Sequence, residues 1–405
     1  MTQRRIRAVY MRGGTSRALF FHEEDLPRSK AARDRILLAA LGSPDPYGRQ
    51  LDGLGGGISS LSKACVIGPP THADAHVDYT FAQVDVKTTL VDYAGNCGNC
   101  SSAVGPFAID EKLVAVTGSN TVVRIHNTNT KKLIVAHVPV KDGEAAVEGD
   151  FELPGVPGRG AKIALDFLDP GGAVTNQLLP TGHPRDVVVG VEASLVDATN
   201  PVVFVRARDL GLTGGEMPPA VDADRALAAR LEAIRVAAAG LMGVPGSLAV
   251  PKIALVAPAA SFTTLDGRAW GAGAADLLAR VISMGACHRA FALTAAMCLA
   301  VAARIDGTVV AECMNASVGP HEATPHREQP GSRRHASRPE RAAGSHAPGS
   351  SRARGTRSND IRLAHPSGVL PIAATVAARD GRPWAERVTV YRTARRLMEG
   401  FVRVP

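Results

Sequence analysis

The sequence predicts a mixed α/β protein of the α+β kind, built as two domains. Three observations point there. The chain has 405 residues, more than one ordinary core accommodates. Short alternating strands are broken by glycine turns, and the order of strands, long helix, further strands and buried helix occurs twice. No residue-level repeat accompanies that order, so the duplication is an expectation about topology alone. Hydrophobic residues make up 45% but aromatic ones only 4%, so the cores must be built from Val, Leu, Ile and Ala.

The first domain is expected over 1–187. Strands are predicted at 6–11, 18–21, 77–86, 88–92, 121–126 and 132–140; Phe81-Ala82-Gln83-Val84-Asp85-Val86 shows the period-two alternation of a half-buried strand. A helix is predicted at 29–41, and a second is expected to start just after Asn99 and run towards Phe107 and Ile109. Ala64-Cys65-Val66-Ile67 reads as a further strand, entered by Lys63.

The second domain is expected over 188–405. Strands are predicted at 187–196, 202–206, 252–257, 361–363, 369–372 and 387–391. Helices are predicted at 222–239, 274–282, 288–305 and 393–399. One segment interrupts this pattern. From Gly319 to Asp360 there is no Val, Ile, Leu, Met, Phe, Trp or Tyr, so 319–359 can bury no core face and is expected to be disordered. Its Arg, Pro, Ser, Ala, Gly and His mixture is what an out-of-frame reading of GC-rich DNA gives.

The net charge of +8 does not mark a nucleic-acid binder, because eight Arg and three Glu of the chain fall between Pro320 and Asn359. No apolar run of about 18 residues is long enough to span a membrane. Residues 1–12 lack the apolar run of a secretory signal, and the six scattered cysteines suit a reducing compartment, so a cytoplasmic location is expected.

Three polar glycine clusters carry the chemical information. They are Arg12-Gly13-Gly14-Thr15-Ser16, Asp52-Gly53-Leu54-Gly55-Gly56-Gly57 running on to Ser62-Lys63, and Asn96-Cys97-Gly98-Asn99-Cys100-Ser101-Ser102. Such turns aim several N–H groups at one anion, though each would also serve as a plain tight turn. The third opens an apolar helix, whose N-terminus stabilises a carboxylate or oxyanion and is expected to lower the pKa of Cys97. Cys97 and Cys100 also form a Cys-x-x-Cys. A zinc site lacks a second ligand pair, and a thioredoxin-like site would need a βαβ context, so no metal or redox cofactor is expected. Cys65, Cys298 and Cys313 lie among apolar residues and are expected in the core. A lysine entering a buried strand, as Lys63 does, is either a strand-end surface residue or a desolvated proton carrier.

In these residues the sequence resembles the PrpF family, which includes 2-methylaconitate isomerase, aconitate isomerase and 4-oxalomesaconate tautomerase. The motifs that carry the resemblance are Met11-Arg12-Gly13-Gly14-Thr15-Ser16, Gly42-Ser43-Pro44-Asp45, Gln50-Leu51-Asp52-Gly53-Leu54-Gly55-Gly56, Ser62-Lys63, Asn96-Cys97-Gly98-Asn99 and Val104-Gly105-Pro106-Phe107-Ala108. In the second half they are Leu179-Pro180-Thr181-Gly182, Asn200-Pro201, His365-Pro366-Ser367-Gly368 and Tyr391-Arg392-Thr393-Ala394-Arg395-Arg396-Leu397. The resemblance implies a diaminopimelate epimerase-like fold of two pseudo-symmetric domains. Each is a curved, mostly antiparallel sheet wrapped around a central helix, with the active site between them. It also implies Lys63 and Cys97 as the acid/base pair of a cofactor-independent isomerase that shifts an allylic proton in a small unsaturated polycarboxylate.

Carboxylates are then expected to meet Gly14, Thr15, Ser16, Ser62, Gly98, Asn99, Ser101 and Ser102 from the first domain. His288, Arg289, Ser367 and Gly368 are expected from the second, with a helix-capping or structural role equally open for His288. Arg17 stands where the family commonly has a lysine, and Asn176-Gln177 where it often has Gly-Lys; both positions bear on substrate choice. Racemisation or epimerisation at an α-carbon, and carboxylate binding without turnover, remain alternatives. The expected partner is the small acid alone, with no nucleic acid or membrane and with a homodimer open as an assembly.

Overall fold

The computed structural model describes residues 3–244, 250–316 and 360–405. The compositionally odd stretch expected at 319–359 lies outside the described residues.

The architecture follows from strand pairing. Arg4–Gly13 forms a hairpin with Ser16–His22, closed at Gly13 and Ser16. The sheet then continues through Lys63–Gly68 (parallel), Val77–Val84 (antiparallel), Asn120–Asn127 (parallel), Lys132–Lys141 (antiparallel) and Ile163–Leu168 (antiparallel). The second half repeats this series step for step. Val191–Ala198 pairs antiparallel with Asn200–Arg206, followed by Lys252–Pro258 (parallel), Leu277–Ser283 (antiparallel), Asp360–His365 (parallel), Gly368–Arg379 (antiparallel) and Arg382–Arg392 (antiparallel).

The helices occupy equivalent places in the two series. Lys30–Leu41 and Arg225–Leu241 follow the second strand of each half and cover the outside. Gly98–Asp110 and Leu293–Ala302 follow the fourth and fill the inside of each curved sheet. Every residue from Gly98 to Ile109 is buried, as are all ten of Leu293–Ala302. A helix buried on all sides has no polar face, which explains the small and apolar composition of both. Their N-terminal ends touch: a Cβ placed on Gly98 would lie 3.0 Å from Cε of Met297 and 3.2 Å from Cγ of Leu293. Gly98 permits that approach.

The last two strands tie the halves together. Arg382–Arg392 pairs with Ile163–Leu168 as well as with its own hairpin partner, and Ala394–Val404 lies antiparallel along the whole of Arg4–Gly13. The C-terminal strand is thus part of the first half's sheet. We propose the two-domain division at 187/188 with this exchange of the final strand.

The structure corrects four predicted elements. Residues 274–282 form a strand at Leu277–Ser283, and 393–399 form the start of the strand Ala394–Val404. Both segments are rich in Ala, Leu and Arg, good helix formers, and in both pairing with a distant strand overrides propensity. The helix expected over 288–305 opens only at Leu293 and ends at Ala302, which leaves His288 in the preceding turn. The strand expected at 88–92 shrinks to Val91–Asp92.

Candidate active site

The two inner helices aim their N-termini at one cavity between the halves. Lys63, Ser16, Cys97, Gly98 and Asn99 line it from the first half; Lys252, Ser283, His288, Leu293 and Thr294 line it from the second. A larger cleft continues outward past Thr15, Ser60, Arg289 and Ser367 and shares His288 with the inner cavity.

Lys63 is the first residue of its strand and is 8% exposed. Its Nζ donates to Oε1 of Gln83, the residue directly opposite on the neighbouring strand, and lies 5.0 Å above the Phe81 ring. Gln83 is itself fixed, its Nε2 donating to the carbonyl of Ser62 at 2.9 Å and of Ser59 at 3.1 Å. The lysine is therefore held at the cavity wall, not at the outer surface.

Cys97 is the N-cap of the first inner helix, with Sγ accepting from the Cys100 N–H at 3.4 Å. The lowered thiol pKa expected from the sequence is corrected here. Burial pushes the Cys97 thiol well up, helped by the neighbouring Cys100 side chain; Lys63 and the Cys100 N–H pull the other way without prevailing. At this buried position the helix terminus does not offset the loss of water. Cys65, Cys298 and Cys313 are buried as expected.

Asn99 links the helix start to the first glycine turn. Its Nδ2 donates to Oγ1 of Thr15 at 3.1 Å, and its Oδ1 accepts from Nε of the buried Arg392 at 3.0 Å. Burial lowers the Arg392 guanidinium to about 9, with Cys97 opposing that shift. Gly14 packs against this pair, and its amide N–H donates to the Thr393 carbonyl at 3.0 Å. His288 is neutral in this setting: burial, with Lys63 and Lys252 nearby, lowers it to about 4. Its Nδ1 accepts from the Ala290 N–H at 3.2 Å, so the neutral ring carries its proton on Nε2 and can donate from there.

The expected site residues thus divide into three groups. Lys63, Cys97, Ser16, Gly98, Asn99 and His288 meet at the inner cavity, while Thr15, Arg289 and Ser367 stand at its mouth. Five lie behind the wall. Gly14 shapes the turn under Asn99, Ser62 accepts from Gln50 Nε2 at 2.6 Å, and Gly368 packs against Pro154. Ser101 donates to the Cys97 carbonyl at 3.1 Å, just as Ser102 donates to that of Asn99 at 2.7 Å. Both serines are fully buried, and their hydroxyls serve helix carbonyls rather than a ligand. Arg17 stacks over Tyr10 at 5.5 Å and lines neither space.

One residue escaped the sequence reading as a site member. Lys252 enters the cavity at the head of its strand, and a signal was present: Pro251-Lys252-Ile253-Ala254-Leu255-Val256 repeats the lysine-then-apolar pattern of Ser62-Lys63-Ala64-Cys65-Val66-Ile67. Behind the lining residue Gly95, Asn200 of the Asn-Pro motif is fully buried, its two amide atoms have no hydrogen-bond partner among the described residues, and its Oδ1 lies 2.8 Å from where a Cβ on Gly95 would stand. Among the described residues, no group of three or more His, Cys, Asp or Glu side chains is placed to hold a metal ion. Among them also, no helix is long and apolar enough to cross a membrane.

The family model described as PrpF protein matches residues 3–324 and 344–405, passing over part of the anomalous segment. The 3-methylitaconate isomerase of Eubacterium barkeri is 39% identical over 416 aligned positions, which cover 99% of this chain and 98% of the relative. The 2-methyl-aconitate isomerase of Shewanella oneidensis is 37% identical, covering 100% and 98%. The crystal structure of a methylitaconate-delta-isomerase superposes with a TM-score of 0.73 at 38% identity, covering 100% of this chain and 96% of that one. The chain belongs to the PrpF family.

Proposed function

We propose that the protein is an isomerase that moves a proton, and with it a carbon–carbon double bond, within a small unsaturated di- or tricarboxylate. The observation that carries the reading is the meeting of Lys63 and Cys97 in one largely enclosed cavity, between two helix N-termini and beside a second lysine. Positive helix ends and the neighbouring Lys252 suit an anionic substrate. The named relatives act on acids of this kind.

In the proposed reaction Cys97 starts as the thiol, because burial holds it protonated. Lys63 Nζ takes a proton from the allylic carbon onto its lone pair, and the electrons of that C–H bond form the new double bond. The old π pair takes the Cys97 proton at the far carbon, directly or through a dienolate whose oxygens face the donors of the site. An ammonium and a thiolate remain, and passage of one proton between them restores the resting pair. Each donor is already in place, so little reorganisation accompanies the charge shift. Asn99 Nδ2, Ser16 and the Nε2–H of neutral His288 are the candidate carboxylate donors.

The test is a panel of trans-aconitate, 2-methylaconitate, 4-oxalomesaconate and diaminopimelate in D2O, with deuterium incorporation and double-bond position followed by NMR. Turnover of at least one unsaturated acid is expected. Turnover of diaminopimelate alone would favour the epimerase alternative, and none at all by folded protein would end the isomerase reading.

A further inference from the structure

We propose that Lys252 is a further catalytic residue of this site, a cation which receives the substrate carboxylate whose oxygens carry the charge of the dienolate. The proposal rests on the polycarboxylate reading above and adds to it a residue, a contact and a pH signature.

The argument begins with the internal symmetry. Lys63 and Lys252 each open the third strand of their half. The registers agree: Ala64, after Lys63, pairs with Leu19, three places beyond Ser16, and Ile253, after Lys252, pairs with Val203, three places beyond Asn200. Ser16 and Asn200 open the second strands. On the other side Lys63 faces Gln83, while Ile253 faces Ile282, which puts Ser283 across from Lys252. The two lysines are symmetry counterparts, and both reach the shared cavity.

The two halves have diverged around that pair. The N-cap of the first inner helix is Cys97, whereas the equivalent N-cap is Ala292. A site using two symmetric thiols is therefore absent, and the second half contributes a cation instead. The charged and titratable groups facing Lys252 are Lys63, Cys97, Asp92 and His288. Burial first, then Lys63, lowers Lys252 to about 8, while Cys97 and Asp92 act in the opposite sense. An ammonium at this cavity, beside two helix N-termini, favours an anionic ligand over a neutral one.

The experiment compares wild type with Lys252→Met and Lys252→Arg. Binding of tricarballylate, a saturated tricarboxylate, is measured by calorimetry, and kcat/KM is recorded from pH 6 to 10 with whichever unsaturated acid turns over. Lys252→Met is expected to weaken tricarballylate binding at least about tenfold and to lower kcat/KM by about a hundredfold or more. In wild type kcat/KM should fall above about pH 8, as the ammonium is lost. Lys252→Arg, which stays charged, should shift that limb upward. A purely structural lysine would not move it. Binding and kcat/KM within threefold of wild type in Lys252→Met, or an unmoved limb in Lys252→Arg, overturns the proposal; if Lys252→Met fails to fold, the arginine profile decides. Wild type that binds tricarballylate but turns over none of the acids would refute the isomerase reading, while the binding arm would still judge Lys252.

Discussion

Replacing Gly14 by alanine tests whether the first glycine turn binds substrate or holds the residues that do. Gly14 has φ +52°, and a Cβ there would lie 2.2 Å from Oδ1 and 2.9 Å from Cγ of Asn99, and 3.0 Å from Cδ of Arg392. Asn99 cannot yield freely, because it is tied to Thr15 and to Arg392. The left-handed backbone costs an alanine about 1 kcal/mol. Displacing Oδ1 leaves the Nε of a buried guanidinium without its acceptor, which costs about 2 kcal/mol more. Gly14→Ala should therefore lose about 3 kcal/mol in urea unfolding. It should also lower kcat/KM, since Asn99 lies one turn-residue from Cys97 at the helix start. A loss below about 1 kcal/mol would show that the turn is not packed as described.

Other consequences follow from the same geometry. Gln83→Met removes the acceptor that positions the Lys63 Nζ, and should lower kcat by about ten- to a hundredfold with the fold intact by circular dichroism. An unchanged kcat would detach Gln83 from the lysine's placement. His365 is buried and held neutral, lowered to about 3 chiefly by desolvation and then by Arg392. A histidine whose folded pKa is depressed leaves the unfolded chain binding more protons below about pH 6.5, so stability falls as the pH drops through that value towards about 3. Between pH 7 and pH 5 this one group should remove about 2 kcal/mol. His365→Gln should flatten the urea stability profile over that interval by a similar amount, and an unchanged slope would contradict the assignment. His288, lowered to about 4, acts in the same direction.

Much of the first half was legible because local pattern and tertiary role agree there. The strand read around Phe81 is present and carries Gln83 opposite Lys63, although it ends at Val84 and is buried on both faces rather than half-buried, and the Gly-Asn-Cys-Ser-Ser run after Cys97 does open a helix. What was hidden depends on distant partners. The segment 394–404 becomes a strand because Arg4–Gly13, some 390 positions earlier, offers an edge, and no window of sequence records that. The thiol pKa was misjudged because a helix terminus can be read locally, whereas full burial against the second half cannot. Lys252 was overlooked although its pattern repeats that of Lys63. Only the shared register of the two third strands makes the repetition meaningful.

The most direct test of the central claim is isotope exchange in D2O. Wild type, Lys63→Ala and Cys97→Ser would each be incubated with the unsaturated acid that turns over, and deuterium followed by NMR at both ends of the allylic unit. The account predicts that wild type moves the double bond and places deuterium at the carbon that gains a proton, and that each substitution lowers double-bond migration by about a thousandfold or more. Migration at wild-type rates in both folded variants would contradict it, because the proton would then travel without either Lys63 or Cys97.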